Sequence, residues 1–221
     1  MKTSRHFFLF VFISISISAS AQFSKGDRLI GGNLNAYFSN YNSTGNPNPP
    51  NIGNQLNTSL TPRYSWVSND NVMNGIFLSG GYGRSKTSSS TASNEQISNS
   101  YSIGAGYFIR KFKDFNQQFG WFIEYNGLVS YRRSENKDLS SSFPYNPKFN
   151  ELQAGVNVIP GLYYKVTPKA VIEATFGGIY ANYGRAKSQS AVNRYFNIGL
   201  NFPASFSFGV QFLFNNKQSQ K

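Results

Sequence analysis

The segment Phe196–Phe214, FNIGLNFPASFSFGVQFLF, decides the fold. Its even positions are Phe196, Ile198, Leu200, Phe202, Ala204, Phe206, Phe208, Val210, Phe212 and Phe214. Between them stand Asn197, Gly199, Asn201, Pro203, Ser205, Ser207, Gly209, Gln211 and Leu213. Side chains of a strand point alternately to its two faces, so a period of two with one apolar face specifies a β-strand rather than a helix. A tilted membrane crossing needs only about 9–11 residues, and Pro203 has no N–H for a continuous ladder. The segment should therefore divide: Phe206–Phe214 as the crossing and Tyr195–Ala204 beyond it.

Working back along the chain, the same period recurs. It runs through Leu152, Ala154, Val156, Val158, Pro160, Leu162 and Tyr164, and through Ala170, Ile172, Ala174 and Phe176. Tyr101, Ile103, Ala105, Tyr107 and Ile109 show it, as do Phe119, Trp121, Ile123, Tyr125 and Val129. Leu56, Leu60, Tyr64 and Trp66 repeat it, as do Ile30, Leu34, Ala36 and Phe38, and Ile76–Arg84 carries a weaker version. The count is about eight strands. Long connections rich in Ser, Asn and Pro fall near Ser39–Gly53, Lys86–Asn99, Ser134–Phe149 and Arg185–Asn193. Short ones fall near Ser68–Asn71, Lys111–Gln118 and Thr167–Lys169. An even-stranded meander with one long-loop end and one short-turn end predicts an all-β, eight-stranded, antiparallel up-and-down transmembrane β-barrel. Both termini then fall at the short-turn, periplasmic end.

The start of the chain has another purpose. Lys2 and Arg5 precede the apolar run Phe7–Ile17, and Ala19-Ser20-Ala21 supplies small residues for cleavage. Residues 1–21 read as a secretory signal peptide, 22–214 as the barrel domain and 215–221 as a polar tail. Loss of Lys2 and Arg5 lowers the formal charge of +12 by two. It also removes His6, the only histidine in a chain without cysteine. The mature protein then lacks residues for Ser-His-Asp, Cys-His or histidine–metal chemistry. No phosphate-binding fingerprint appears, since Gly80-Gly81-Tyr82-Gly83 is followed by no helical pattern. No enzyme, cofactor or metal is expected.

Alternation also fits a soluble barrel with an apolar lumen. Three features oppose that. Only 14% of residues are charged, and the non-apolar parity is mostly Gly, Ser, Asn and Thr, whereas a wet exterior carries Lys and Glu. Aromatics gather at strand ends: Tyr64, Trp66, Tyr107, Trp121, Tyr164 and Phe214 at the short-turn end, and Phe38, Tyr82, Tyr101, Tyr131 and Tyr180 toward the long loops. Two such girdles are what lipid–water interfaces select. The export signal agrees.

From Gly26 to Phe214 the chain resembles the small outer-membrane β-barrel proteins of Bacteroidota, of OmpX and PorT type. The likeness rests on Leu29-Ile30-Gly31-Gly32-Asn33-Leu34, Leu60-Thr61-Pro62-Arg63-Tyr64, Tyr101-Ser102-Ile103-Gly104 with Phe108-Ile109-Arg110, Pro160-Gly161-Leu162-Tyr163-Tyr164 and Ala174-Thr175-Phe176-Gly177-Gly178, in that order. Ser207, Gly209, Phe212 and Phe214 match the assembly signal of such barrels, although here Asn215–Lys221 follows the last aromatic. The resemblance implies an integral outer-membrane location and insertion by the barrel-assembly machinery.

Parity sends Arg63, Arg110, Glu124, Lys165 and Glu173 into the lumen as a charge cluster. An eight-stranded lumen is just wide enough to be filled by side chains, so these charges should pair as a plug. At the long-loop rim, Arg132, Arg133, Arg185 and Lys187 could contact lipopolysaccharide phosphates or serve only loop solubility. No nucleic-acid partner is expected. The functional expectation is a monomer with a filled polar lumen that displays its loops in a structural, interaction or secretion-accessory role. The alternative is a small passive transport channel.

Overall fold

Eight strands carry the alternation: β1 (Arg28–Ser43), β2 (Asn51–Asn69), β3 (Val72–Ser89), β4 (Glu95–Asp114), β5 (Phe119–Asp138), β6 (Lys148–Thr167), β7 (Ala170–Lys187) and β8 (Val192–Phe214). The computed structural model describes residues 23–43, 51–69, 71–89, 95–138, 147–188 and 191–214. The expected signal peptide, residues 1–21, and polar tail, residues 215–221, lie outside these. Each strand pairs antiparallel with the next, and β8 returns to β1, closing the sheet into a barrel. No helix occurs among the described residues.

The strands run well past the apolar stretches and into segments expected to be loops. β3 and β4 stay paired out to Ser88 and Glu95, and β5 and β6 out to Glu135 and Lys148. These extensions are polar on both faces, so they show no hydrophobic period, yet a formed ladder continues readily through Ser, Thr and Asn. At the other end the turns are tight. Asn71 takes a left-handed conformation with φ 67° between β2 and β3, a region that asparagine tolerates. Between β4 and β5, Asn116 Oδ1 accepts from the backbone N–H groups of Gln118 and Phe119, an Asx turn. Lys169 N–H donates to Thr167 Oγ1 at the β6–β7 turn.

Two irregularities matter. Opposite Pro203 the β7–β8 register shifts, from Phe176↔Phe206 to Gly178↔Asn201, with Gly177 and Gly178 both at positive φ. The discontinuity expected at Pro203 is therefore a bulge within one long strand. The bulge also inverts the parity of β7. Tyr183 faces outward, whereas Tyr180 lies on the inner side against Gly199. Tyr180 is thus no member of the outer aromatic girdle. The second irregularity is the closing ladder, which joins Arg28–Asn33 to Gly209–Phe214 and stops there. By contrast, β1 pairs with β2 over its whole length.

Apolar residues occupy two places. Outward positions remain exposed, among them Ile103 (65%), Val156 (61%) and Leu200 (71%). Inside the short-turn half, Leu29, Val67, Met73, Phe77, Phe108, Phe112, Phe122, Tyr163 and Val171 form a buried core. The filling expected to be polar is shared: this apolar core lies beside buried Arg110, Glu124, Lys165, Glu173 and Gln211. Phe23, just before β1, closes its mouth, with its ring 4.9 Å from Phe112 and 5.7 Å from Tyr163.

Candidate functional site

The lumen holds two layers: a buried charged plug and a polar vestibule above it. β2, β4, β5, β6, β7 and β8 each place one or two side chains in the plug. Arg110 Nη2 and Nε donate to Glu124 Oε2 at 2.7 and 3.2 Å, and Nη1 donates to Glu173. Arg63 Nη1 donates to the same Glu124 oxygen at 2.7 Å. Asn126 donates to Glu124 Oε1 at 3.0 Å and accepts from Asn157 at 2.7 Å. Gln211 donates to Glu173 and accepts from Ser65. Rings complete the enclosure. The Arg110 guanidinium lies 3.9 Å from the Phe122 centroid, and that of Arg63 5.3 Å from Phe108.

Physically, this is a neutral cluster of two Arg and two Glu with nearly every polar atom satisfied. Arg63 Nε is the one buried side-chain polar atom without a partner among the described residues. Paired and hydrogen-bonded charges can stay in a low-dielectric interior at modest net cost, whereas a single unpaired charge cannot. The arrangement fills the lumen at this level, with Arg110, Glu124 and Glu173 all buried.

Of the five lumen charges expected to cluster, Arg63, Arg110, Glu124 and Glu173 meet. Lys165 is buried nearer the short-turn end, with its ammonium 4.2 Å from the Phe23 centroid. The assembly-signal residues line the end of β8. Ser207 Oγ accepts from Asn33 at 2.8 Å, Gly209 packs against Asn33, and Phe212 and Phe214 lie exposed on the outer face.

The rim cations divide between faces and do not form one patch. Arg132 lines the interior, opposite Glu151 in register. Arg133 sits outside in a groove with Tyr101, Tyr131 and Glu135. It donates to Glu135 at 2.7 Å, and that hydrogen bond holds the Glu135 carboxyl below the usual range. Arg185 stands directly across from Arg194, and Lys187 across from Val192. The cross-strand partners of Arg185 and Arg132 are legible only once the register is known.

The vestibule was not anticipated. It is a cavity of about 410 Å³ whose described lining comes from β2 to β6. Ser59, Ser79, Ser100, Ser102 and Ser130 supply hydroxyls, and Arg132 and Glu151 supply opposite charges. Tyr195 donates to Glu151 from β8. The sequence signal is the run of small polar residues on the inward parity. Among the described residues no group of acidic, histidine or cysteine side chains could hold a metal. No protein-family model matches the sequence, and no curated protein matches it.

Proposed function

We propose that the chain is an integral outer-membrane protein whose eight strands cross the membrane as an up-and-down barrel, with the short turns and both termini periplasmic. Its role is structural or interactive, through the long hairpins held outside, including an accessory part in secretion. The observation that carries this reading is the outer apolar surface. Ile109, Tyr107, Ala105, Ile103 and Tyr101 of β4 succeed one another on the outer face, all exposed. They cover roughly 20 Å along the barrel axis at the usual tilt, close to the ~25 Å apolar band of such barrels. Soluble monomers rarely expose contiguous apolar patches beyond a few hundred Å², whereas lipid requires such a surface.

Insertion by the assembly machinery follows from the placement of Phe212 and Phe214 on the outer face of the closing strand. Lipopolysaccharide contact rests on the outward cations above the upper tyrosines. The first test is solvent: the mature protein should need detergent and should float with lipid vesicles. A monodisperse protein in plain buffer would overturn the reading. A second test separates it from a passive channel. The Arg110 network and the Phe108, Phe112, Phe122 and Tyr163 rings stand across the lumen, so planar bilayers should show no unitary conductance steps. Regular steps abolished by filling the lumen would favour the channel.

A further inference from the structure

On the β3–β5 side of the outer rim, Lys86 pairs with Glu95 at 2.9 Å and Arg133 with Glu135 at 2.7 Å. The β7–β8 side is different. Arg185, Lys187 and Arg194 are exposed on the outward parity, and Arg185 stands directly across the ladder from Arg194. β1, β2 and β8 contain no acidic residue, and β6 and β7 contain one each. Those two, Glu151 and Glu173, face the vestibule and the plug. No carboxylate of these strands therefore meets the three cations on the outer face. Opposed residues of neighbouring strands have Cβ atoms about 4.5–5.5 Å apart, and like charges so placed repel. An anion from outside the chain relieves that repulsion.

Apolar surface continues directly from the cations. The next outward residues are Tyr183 on β7 and Phe196 on β8, themselves a pair across the ladder, and Ile198 and Leu200 follow on β8. Leu152 of β6 flanks Arg185. All five are exposed. One outward step along a strand is two residues, about 6.6 Å, so one amphiphile spans both the charge and the shelf. The chemistry of its head follows from the cations. Guanidinium forks match phosphate oxygens two at a time, and a phosphomonoester carries about −1.5 to −2 charges at pH 7. A zwitterionic head would bring its amine to a wall without a carboxylate.

We propose that Arg185 and Arg194 clamp a phosphomonoester of an outer-leaflet glycolipid. Lys187 is the third cation of the site, and the acyl chains lie over Tyr183, Phe196 and Ile198. This deepens the lipopolysaccharide contact proposed above and rests on the membrane reading. It adds Arg194 to the contact and moves the centre away from Arg132, which lines the vestibule, and Arg133, which is bonded to Glu135.

The test compares bisphosphorylated lipid A with lipid A stripped of both phosphates, counting lipid retained by the detergent-purified protein in native mass spectrometry. Wild type should retain the phosphorylated form preferentially. Arg185→Gln with Arg194→Gln should retain it about tenfold less, a loss of about 1.4 kcal/mol, and Arg133→Gln should change little. Arg185→Lys with Arg194→Lys keeps the charge without the forks and should also retain less. Stability supplies a second reading with opposite signs. In phosphatidylcholine vesicles Arg194→Gln removes a repulsion and should raise the urea midpoint of unfolding; in vesicles doped with lipid A it should lower it. Equal retention of the stripped lipid, or full retention by the double glutamine variant, overturns the clamp. Full retention by the double lysine variant overturns its bidentate geometry. Equal retention of phosphatidylglycerol would assign the arginines to anionic lipid in general and overturn the glycolipid. Vesicle flotation checks the membrane reading separately: wild type that floats but retains no lipid A overturns the clamp alone, and failure to float overturns both.

Discussion

Glu124 is the residue on which the plug turns, because one of its oxygens accepts from both Arg63 and Arg110. Glu124→Gln leaves two guanidiniums facing one remaining carboxylate. Removing one partner of a buried pair costs about 3–5 kcal/mol, and urea unfolding in lipid vesicles should show a loss of that size. Arg63 sits at the margin of the network, with Nε unpartnered. Adding Arg63→Gln to the Glu124→Gln background restores neutrality and should recover part of the loss. A single variant within about 1 kcal/mol of wild type would mean that the cluster is hydrated. Neighbouring residues in β6 make a second comparison. Val156 points out and Asn157 points in, toward Asn126. Val156→Arg should cost about 2–4 kcal/mol near the bilayer midplane, and Asn157→Ser less. Equal costs would contradict the assigned faces.

At the scale of the strand, the C-terminal half of β8 both closes the ring and carries the residues proposed as an assembly signal. Phe212→Ala with Phe214→Ala should block insertion and leave degraded or periplasmic protein, whereas deletion of Asn215–Lys221 should be tolerated. Cell fractionation reads both outcomes, and the reverse pattern would mean that the barrel end lies elsewhere. Strands were legible wherever one face is apolar, as in Tyr101–Ile109 or Leu152–Tyr164. Where both faces are polar, as from Lys86 to Asn99, the pattern carries no period, and the extended ladders were read as loops. Where both faces are apolar the pattern blurs as well. Phe108 and Phe122 interrupt the expected polar parity because they fill the lower lumen. The Gly177-Gly178 bulge shifts parity by one residue, which moves Tyr180 inward. Pairing of Arg63 with Glu124 depends on register across nonadjacent strands, so parity gave their shared lumen and not their hydrogen bonds.

For the whole molecule, the outward cations above the tyrosine level are the surface proposed to meet lipopolysaccharide. Replacing Arg132, Arg133, Arg185 and Lys187 with Gln should weaken binding of lipopolysaccharide vesicles while the barrel stays folded by circular dichroism. The inward Arg132 should contribute least, since it lines the vestibule. The difference should shrink with added salt, because exposed charges are screened within about 8 Å at physiological ionic strength. Identical binding by wild type and the fourfold variant in dilute buffer would exclude a role for the rim.

The plug also sets a clock for assembly. Arg63, Arg110 and Glu124 come from β2, β4 and β5, while Glu173 comes from β7 and Gln211 from β8. Within the plug, the residues supplied through β5 leave one positive charge uncompensated. Neutrality arrives with Glu173, and Gln211 then caps that carboxylate as the last strand docks. Such long-range pairings are slow to form because loop closure precedes their reward. Partly built sheets would therefore hold a hydrated, open inner face until the chain's final third is in place. Drying of the interior and sealing of the wall become one late event.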